Sequence, residues 1–72
     1  QAEALEFRVG QDAPMVGIPL EKLTLKKNLL VACINRCGRI ITPRGKDTME
    51  VGDTVIIVTT NKGLQDLKDI LA

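Results

Sequence analysis

Any chemistry in this chain would have to be assembled from carboxylates, lysines, arginines and two thiols, because it contains no His, Ser, Tyr or Trp. Without imidazole there is no side chain that titrates near neutral pH for general acid–base work. Without Ser there is no serine nucleophile, and a cysteine would act without its usual histidine partner. No two carboxylates are spaced to share a pocket as an acid–base pair. The chain therefore reads as a non-enzyme. Cys33 and Cys37 lack zinc-site spacing, and no further sulfur or imidazole completes a set of four ligands. Glu50 and Asp53 match no calcium-loop pattern, so no metal site is expected. Asp53, after Gly52, is expected to fix the turn into the strand that follows.

The basic residues Lys26, Lys27, Arg36, Arg39, Arg44 and Lys46 cluster only locally, and the formal net charge is +1. That is no field for phosphate contacts along a nucleic acid. Phe7, the one aromatic, is no stacking platform. Arg44 has two readings: it meets an anionic ligand or a neighbouring domain, or it pairs locally with Asp47 and orders a polar loop.

The elements that would carry these residues follow from apolar periodicity. Leu5, Phe7 and Val9 alternate with Glu6 and Arg8, as in a half-buried strand. After the break at Gly10–Pro14, Leu20 and Leu23 share a face at helical spacing, which predicts a short helix with Pro19 near its first position. Leu29–Ile34 is a buried strand that returns through Cys37-Gly38 into Arg39–Thr42, with Pro43 ending the hairpin. Cys33 reads as a small buried hydrophobe. Arg44–Gly52 is polar and turn-like, and Thr54–Thr60 is the strongest strand. Asn61 then stands as N-cap of a terminal amphipathic helix bearing Leu64, Leu67, Ile70 and Leu71 on one stripe. The predicted fold class is α+β: a small β-α-β-β-β-α domain, mainly antiparallel, with helices on one face of the sheet.

A single domain of 72 residues removes a small fraction of its surface from water and gains from a partner. Two predicted strands are aliphatic on both faces, and two short helices cover only one. A second copy related by a two-fold axis is the simplest cover for the other. Leu30, Ala32 and Ile34 are the expected dimer face, with Arg36 at its rim. No apolar run is long enough to cross a bilayer, and two free thiols suit a reducing cytoplasm. Beginning at Gln1 rather than Met, the chain reads as a piece of a larger protein.

The order of these features resembles a known family. It comprises Phe7-Arg8-Val9, then Val16-Gly17-Ile18-Pro19-Leu20 with Leu23 and Leu25, and Leu29 through Arg36. It continues with Ile40-Ile41-Thr42-Pro43-Arg44-Gly45 and ends with Gly52-Asp53 before Thr54–Val58. The ordered set resembles the RCK C-terminal domain, also called the TrkA-C domain, over nearly the whole chain. Pro43-Arg44-Gly45 is most similar to the Trk-type potassium-uptake regulators.

The resemblance implies a cytoplasmic regulatory domain behind an N-terminal Rossmann-type domain. It implies a homodimer that helps gate a membrane potassium-transport subunit, and related copies serve other cation and anion transporters. NAD(H) or ATP/ADP would belong to the N-terminal domain, with no cofactor in this one. A nucleotide-type regulator would sit at the dimer cleft, with Arg36, Arg44 and Lys26 as candidate ligands. Members that bind cyclic di-AMP carry an arginine ahead of the first hairpin strand and an asparagine early in it. Here those places hold Lys26 and the run Leu29-Leu30-Val31, and a lysine lacks the planar fork of arginine. The departure argues against cyclic di-AMP. A purely structural module that couples transporter subunits is the alternative.

Overall fold

The computed structural model describes residues 1–72. Four strands run in the order expected: β1 (Glu3–Arg8), β2 (Leu29–Arg36), β3 (Arg39–Ile41) and β4 (Thr54–Thr59). They form one antiparallel sheet in the spatial order β1-β4-β2-β3. The β-branched run Thr54–Thr59 takes a central place, where a strand must satisfy neighbours on both edges.

Neither predicted α-helix forms. Leu20–Lys22 and Leu67–Ile70 are single 3₁₀ turns, so the fold is a sheet covered on one face by turns and loops. Pro19 stands just ahead of the first turn, close to where it was expected. Asn61 does not cap a helix. Its amide side chain donates to the Lys27 carbonyl and its backbone N–H to Thr59 Oγ1, while Gly63 at φ 81° turns the chain away. The second turn is held at its start by Asp69, whose carboxylate accepts the backbone N–H groups of Gln65 and Asp66, while Asp69 N–H donates to the Asp66 carbonyl.

Beyond that turn the chain pairs with the segment before β2. Leu71 bridges Leu25, Lys26 N–H donates to the Ile70 carbonyl, and Ala72 N–H donates to that of Thr24. Spacing i, i+3 is shared by 3₁₀ and α geometry, so Leu67 and Ile70 are buried as the stripe required. The backbone that delivers them was decided by the extended partner.

The core lies between the inner sheet face and these loops: Val9, Met15, Val31, Ile34, Met49, Val55, Ile57, Leu67 and Ile70. Met49, inside the polar segment Arg44–Gly52, is fully buried and bridges Val16. Cross-strand partners share a face in antiparallel pairs, so Val55 and Ile57 bring Phe7, Leu5, Ile34 and Val31 inward. Ile56 and Val58 look outward with Ala4, Cys33 and Leu30.

The register slips between Val31 and Cys33, leaving Ala32 as the extra residue of a β-bulge. That slip corrects the expected dimer face. Strict alternation puts Leu30, Ala32 and Ile34 on one side, but the bulge turns Ile34 inward to join Val31. Ile34 is 0% exposed, Ala32 is half-buried at the bulge, and Leu30 alone remains open, at 61%. Cys33 likewise moves outward, half-buried beside Ile56 rather than in the core, and both cysteines are free thiols.

The β2–β3 turn holds Cys37 at φ 52° and Gly38 at φ 83°, the positive angles of a type I′ hairpin. Asn35 steadies it by accepting the Gly38 N–H at 3.0 Å. A cysteine at that angle is strained, whereas asparagine tolerates it. Cys37→Asn should raise stability by roughly 0.5–1 kcal/mol, read as a higher urea midpoint at unchanged slope.

Candidate functional site

Arg36 lies on the inner side of β2, two residues past Ile34. With Asn35 opposite Thr54, the next pair in register is Arg36 and Asp53. The two meet as a bidentate pair: Nε donates to Oδ1 at 2.9 Å and Nη2 to Oδ2 at 2.8 Å. Nη2 also donates to the Thr48 carbonyl at 2.9 Å, and the Glu50 N–H donates to Asp53 Oδ2 at 2.8 Å. Thr48 Oγ1 donates to the Glu50 carboxylate. The side chain of Asp53 is 2% exposed and that of Arg36 is 37%.

Hydrogen bonds from the Arg36 guanidinium hold the Asp53 carboxyl below the usual carboxylate range; the Glu50 amide adds to this and outweighs, with Arg36, the opposing cost of burial. The same bond raises Arg36 further. Asp53 does fix the turn into β4, as expected, and it also anchors Arg36. That partnership depends on the bulge, which shifts β2 by one residue against β4 and so sets Arg36 beside Asp53.

Arg36 is thus a strut between the hairpin and the loop before β4. At the rim of a face or in contact with a ligand, it would first have to leave Asp53. Arg44 is differently placed. Its backbone N–H donates to Asp47 Oδ2 at 2.7 Å, so the expected local pairing orders the loop through the main chain. Its side chain is exposed, and the one salt bridge of the fold is Arg36–Asp53.

Beside Arg44 a cleft of about 280 Å³ opens where Pro43 ends β3 and the chain parts from β2. Leu20, Leu25, Leu29 and Val31 contribute its apolar lining, and Glu21 its facing carboxylate. The far wall is held by Glu21 N–H donating to the Gly45 carbonyl and Leu20 N–H to that of Asp47, both at 2.9 Å. A Cβ at position 45 would lie 2.7 Å from Glu21 Oε1, so glycine permits this close approach.

Lys26 lines no wall of this cleft. It lies toward the C-terminal segment, where Asp69 is held below the usual range first by the Asp66 and Gln65 amides, and less by Lys26 and Lys68. The three candidate ligand residues are therefore not gathered at one point. A second hollow, of about 340 Å³, mixes Arg8 and Lys68 with Asp12 and Asp66. A third, of about 260 Å³, lies between Ala2, Leu30 and Val58. No three Cys, Asp or Glu side chains converge as metal ligands, and no helix is long and apolar enough to cross a membrane.

The family model of the TrkA-C domain matches residues 4–72. The chain is 34% identical over 71 residues to the Trk system potassium uptake protein TrkA homolog of Pyrococcus abyssi, covering 97% of this chain and 31% of that protein. It is 33% identical to the homolog of Archaeoglobus fulgidus, covering 97% and 16%. With the TrkA of Mycobacterium tuberculosis it shares 28% identity, covering 99% and 32%. The chain thus spans a third or less of the curated relatives it matches.

Among solved structures, one titled "Structure of RCK domain with cda" superposes with a TM-score of 0.67 at 22% identity, covering 82% of this chain and 81% of that one. At that identity the likeness speaks for the fold. The match over residues 4–72 is with the regulatory family that the ordered motifs resembled, and this chain belongs to the TrkA-C domain family.

Proposed function

We propose that this domain is the regulatory and dimerisation module of a potassium-transport regulator, acting on a membrane transport subunit through an N-terminal Rossmann-type domain. The relatives named for potassium uptake support the setting. The observation that carries a binding role is the free Arg44 guanidinium beside an apolar-lined cleft. Such a pairing suits a nucleotide-type regulator: an aliphatic wall for a base and a planar cation for phosphate. The regulator must bind two arrangements of the dimer with different affinity, or it shifts neither. Cyclic di-AMP fits poorly, since Leu29-Leu30-Val31 supplies no amide side chain.

Calorimetric titration with cyclic di-AMP, cyclic AMP and cyclic GMP tests this reading. The expected result is saturable heat from a cyclic mononucleotide and none from cyclic di-AMP, with ATP and ADP assigned to the N-terminal domain. Arg44→Ala should weaken that binding at least tenfold, the scale of one charge-assisted hydrogen bond. No saturable heat from any of the three would favour the structural alternative, a module that only couples subunits. The separation of Arg36, Arg44 and Lys26 supports that second reading.

A further inference from the structure

Three kinds of unpartnered polar group converge on the cleft beside Arg44. The first is the Arg44 guanidinium, and the second is the Glu21 carboxylate on the facing wall. Opposite charges thus line one cleft without pairing, since the one salt bridge of the fold is Arg36–Asp53. The Glu21 side chain lies along Gly45, where an added Cβ would stand 3.1 Å from its Cβ and 2.7 Å from Oε1. The third kind is main-chain. β3 pairs with Ile34–Arg36 and then departs, so Leu29 and Val31 keep a free strand edge on the cleft side. Leu29 lies opposite Thr59, and the Thr60 N–H donates to the Asn28 carbonyl. Alternation of bonded and non-bonded pairs then turns the N–H and C=O of Leu29 and Val31 away from β4. None of the hydrogen bonds outside the ladder involves either residue.

Resting on the nucleotide reading proposed for this cleft, we infer that Glu21 makes it selective for guanine, with cyclic GMP as the regulator that fits. An ionised carboxylate only accepts hydrogen bonds. Guanine presents adjacent donors on its Watson–Crick edge, N1–H and the N2 amino group, which match the two oxygens of one carboxylate. Adenine offers the N6 amino group beside N1, whose lone pair would face a carboxylate oxygen. Cytosine fails in the same way through N4 and N3. Glu21 therefore supplies both halves of a selection, an attraction for guanine and a repulsion against its competitors.

The other groups of the cleft suit the same ligand. Arg44 offers a planar fork to the cyclic phosphate, and the Glu21 carboxylate repels that phosphate, so the opposed charges fix which end of the ligand enters where. Leu20, Leu25 and Leu29 provide an aliphatic wall for the face of the base. Guanine O6 is an acceptor, and the free N–H groups of the β2 edge are donors in need of one. A cleft of about 280 Å³ lies at the lower end for small-molecule sites, which suits one nucleotide rather than two joined.

Calorimetric titration with cyclic GMP, cyclic IMP and cyclic AMP tests this in the native chain and in Glu21→Gln. Cyclic IMP keeps N1–H and O6 but lacks the N2 amino group. Cyclic GMP should bind at least tenfold tighter than cyclic AMP, the scale of one bidentate base contact, with cyclic IMP between them. Glu21 is exposed, so Glu21→Gln should keep the native urea midpoint. It should erase or reverse the preference, because an amide both donates and accepts and so pairs with adenine. Cyclic AMP binding as tightly as cyclic GMP to the native chain would overturn the assignment of Glu21 and leave the nucleotide reading standing. A guanine preference unchanged in Glu21→Gln would do the same. No saturable heat from any of these nucleotides would overturn both.

Discussion

Ile34→Asp is expected to unfold the domain, where strict alternation along β2 would have it merely separate two copies. Ile34 has no exposure and sits against Val31, Val55 and Ile41 on the core side of the sheet. Truncating a buried isoleucine costs roughly 2–5 kcal/mol through lost burial and the cavity left behind. Aspartate adds the cost of desolvating a charge, and no cation lies in this apolar cluster to offset it. A domain of this length has on the order of 4–10 kcal/mol of stability in total. The variant should show a collapsed strand signal in circular dichroism at 25 °C, with no cooperative urea transition. Ile34→Val, which keeps the shape, should lose only about 0.5–1.5 kcal/mol. A folded Ile34→Asp chain of half the mass would mean that Ile34 faces a partner after all.

Asp53→Ala is expected to have the second largest effect, and its size should depend on pH. The carboxylate accepts two hydrogen bonds from Arg36 and one from the Glu50 amide. Around it the main chain closes the corner into β4: Val9 N–H donates to the Asp53 carbonyl, and Gly52 N–H to that of Val9. Removing the carboxylate leaves the Glu50 amide unpaired and Arg36 holding only the Thr48 carbonyl. Hydrogen bonds to charged groups contribute about 1.5–3 kcal/mol, and they are coupled here rather than additive. A loss of roughly 2–4 kcal/mol is expected. In a chain of this size each kcal/mol moves the midpoint by about 4–8 °C.

The pH dependence has a definite sign. Asp53 has a carboxyl depressed in the folded state, chiefly by its hydrogen bonds to Arg36. Such a group contributes stability that is complete above the ordinary carboxylate value of about 4 and is lost as pH falls through the folded value. The gap between native protein and Asp53→Ala should therefore be widest near neutrality and narrow below about pH 4. Asp69, also depressed, acts with the same sign and is retained in the variant. Some acid sensitivity should then persist. A gap that stays constant from neutrality to pH 3 would show that Asp53 acts by packing rather than by charge.

Sequence alone determined the strands and the family. Alternation in Leu5–Val9, the aliphatic run after Leu29, the Cys37-Gly38 turn and the β-branched run after Thr54 specify a sheet, because period-two burial and turn chemistry are local properties. It also determined that Leu67 and Ile70 are buried, since i, i+3 spacing holds in either helix type. What it left open was settled by contacts distant along the chain. The terminal segment pairs with Thr24–Lys26 instead of coiling, because an extended partner satisfies its main chain. Met49 reaches the core from a polar stretch because Gly17 N–H binds its carbonyl and draws it under the sheet. The bulge at Ala32 reverses which side of β2 meets the core. No local signal marks it, since every residue from Leu29 to Ile34 is equally apolar, and only the register against β4 distinguishes one face from the other.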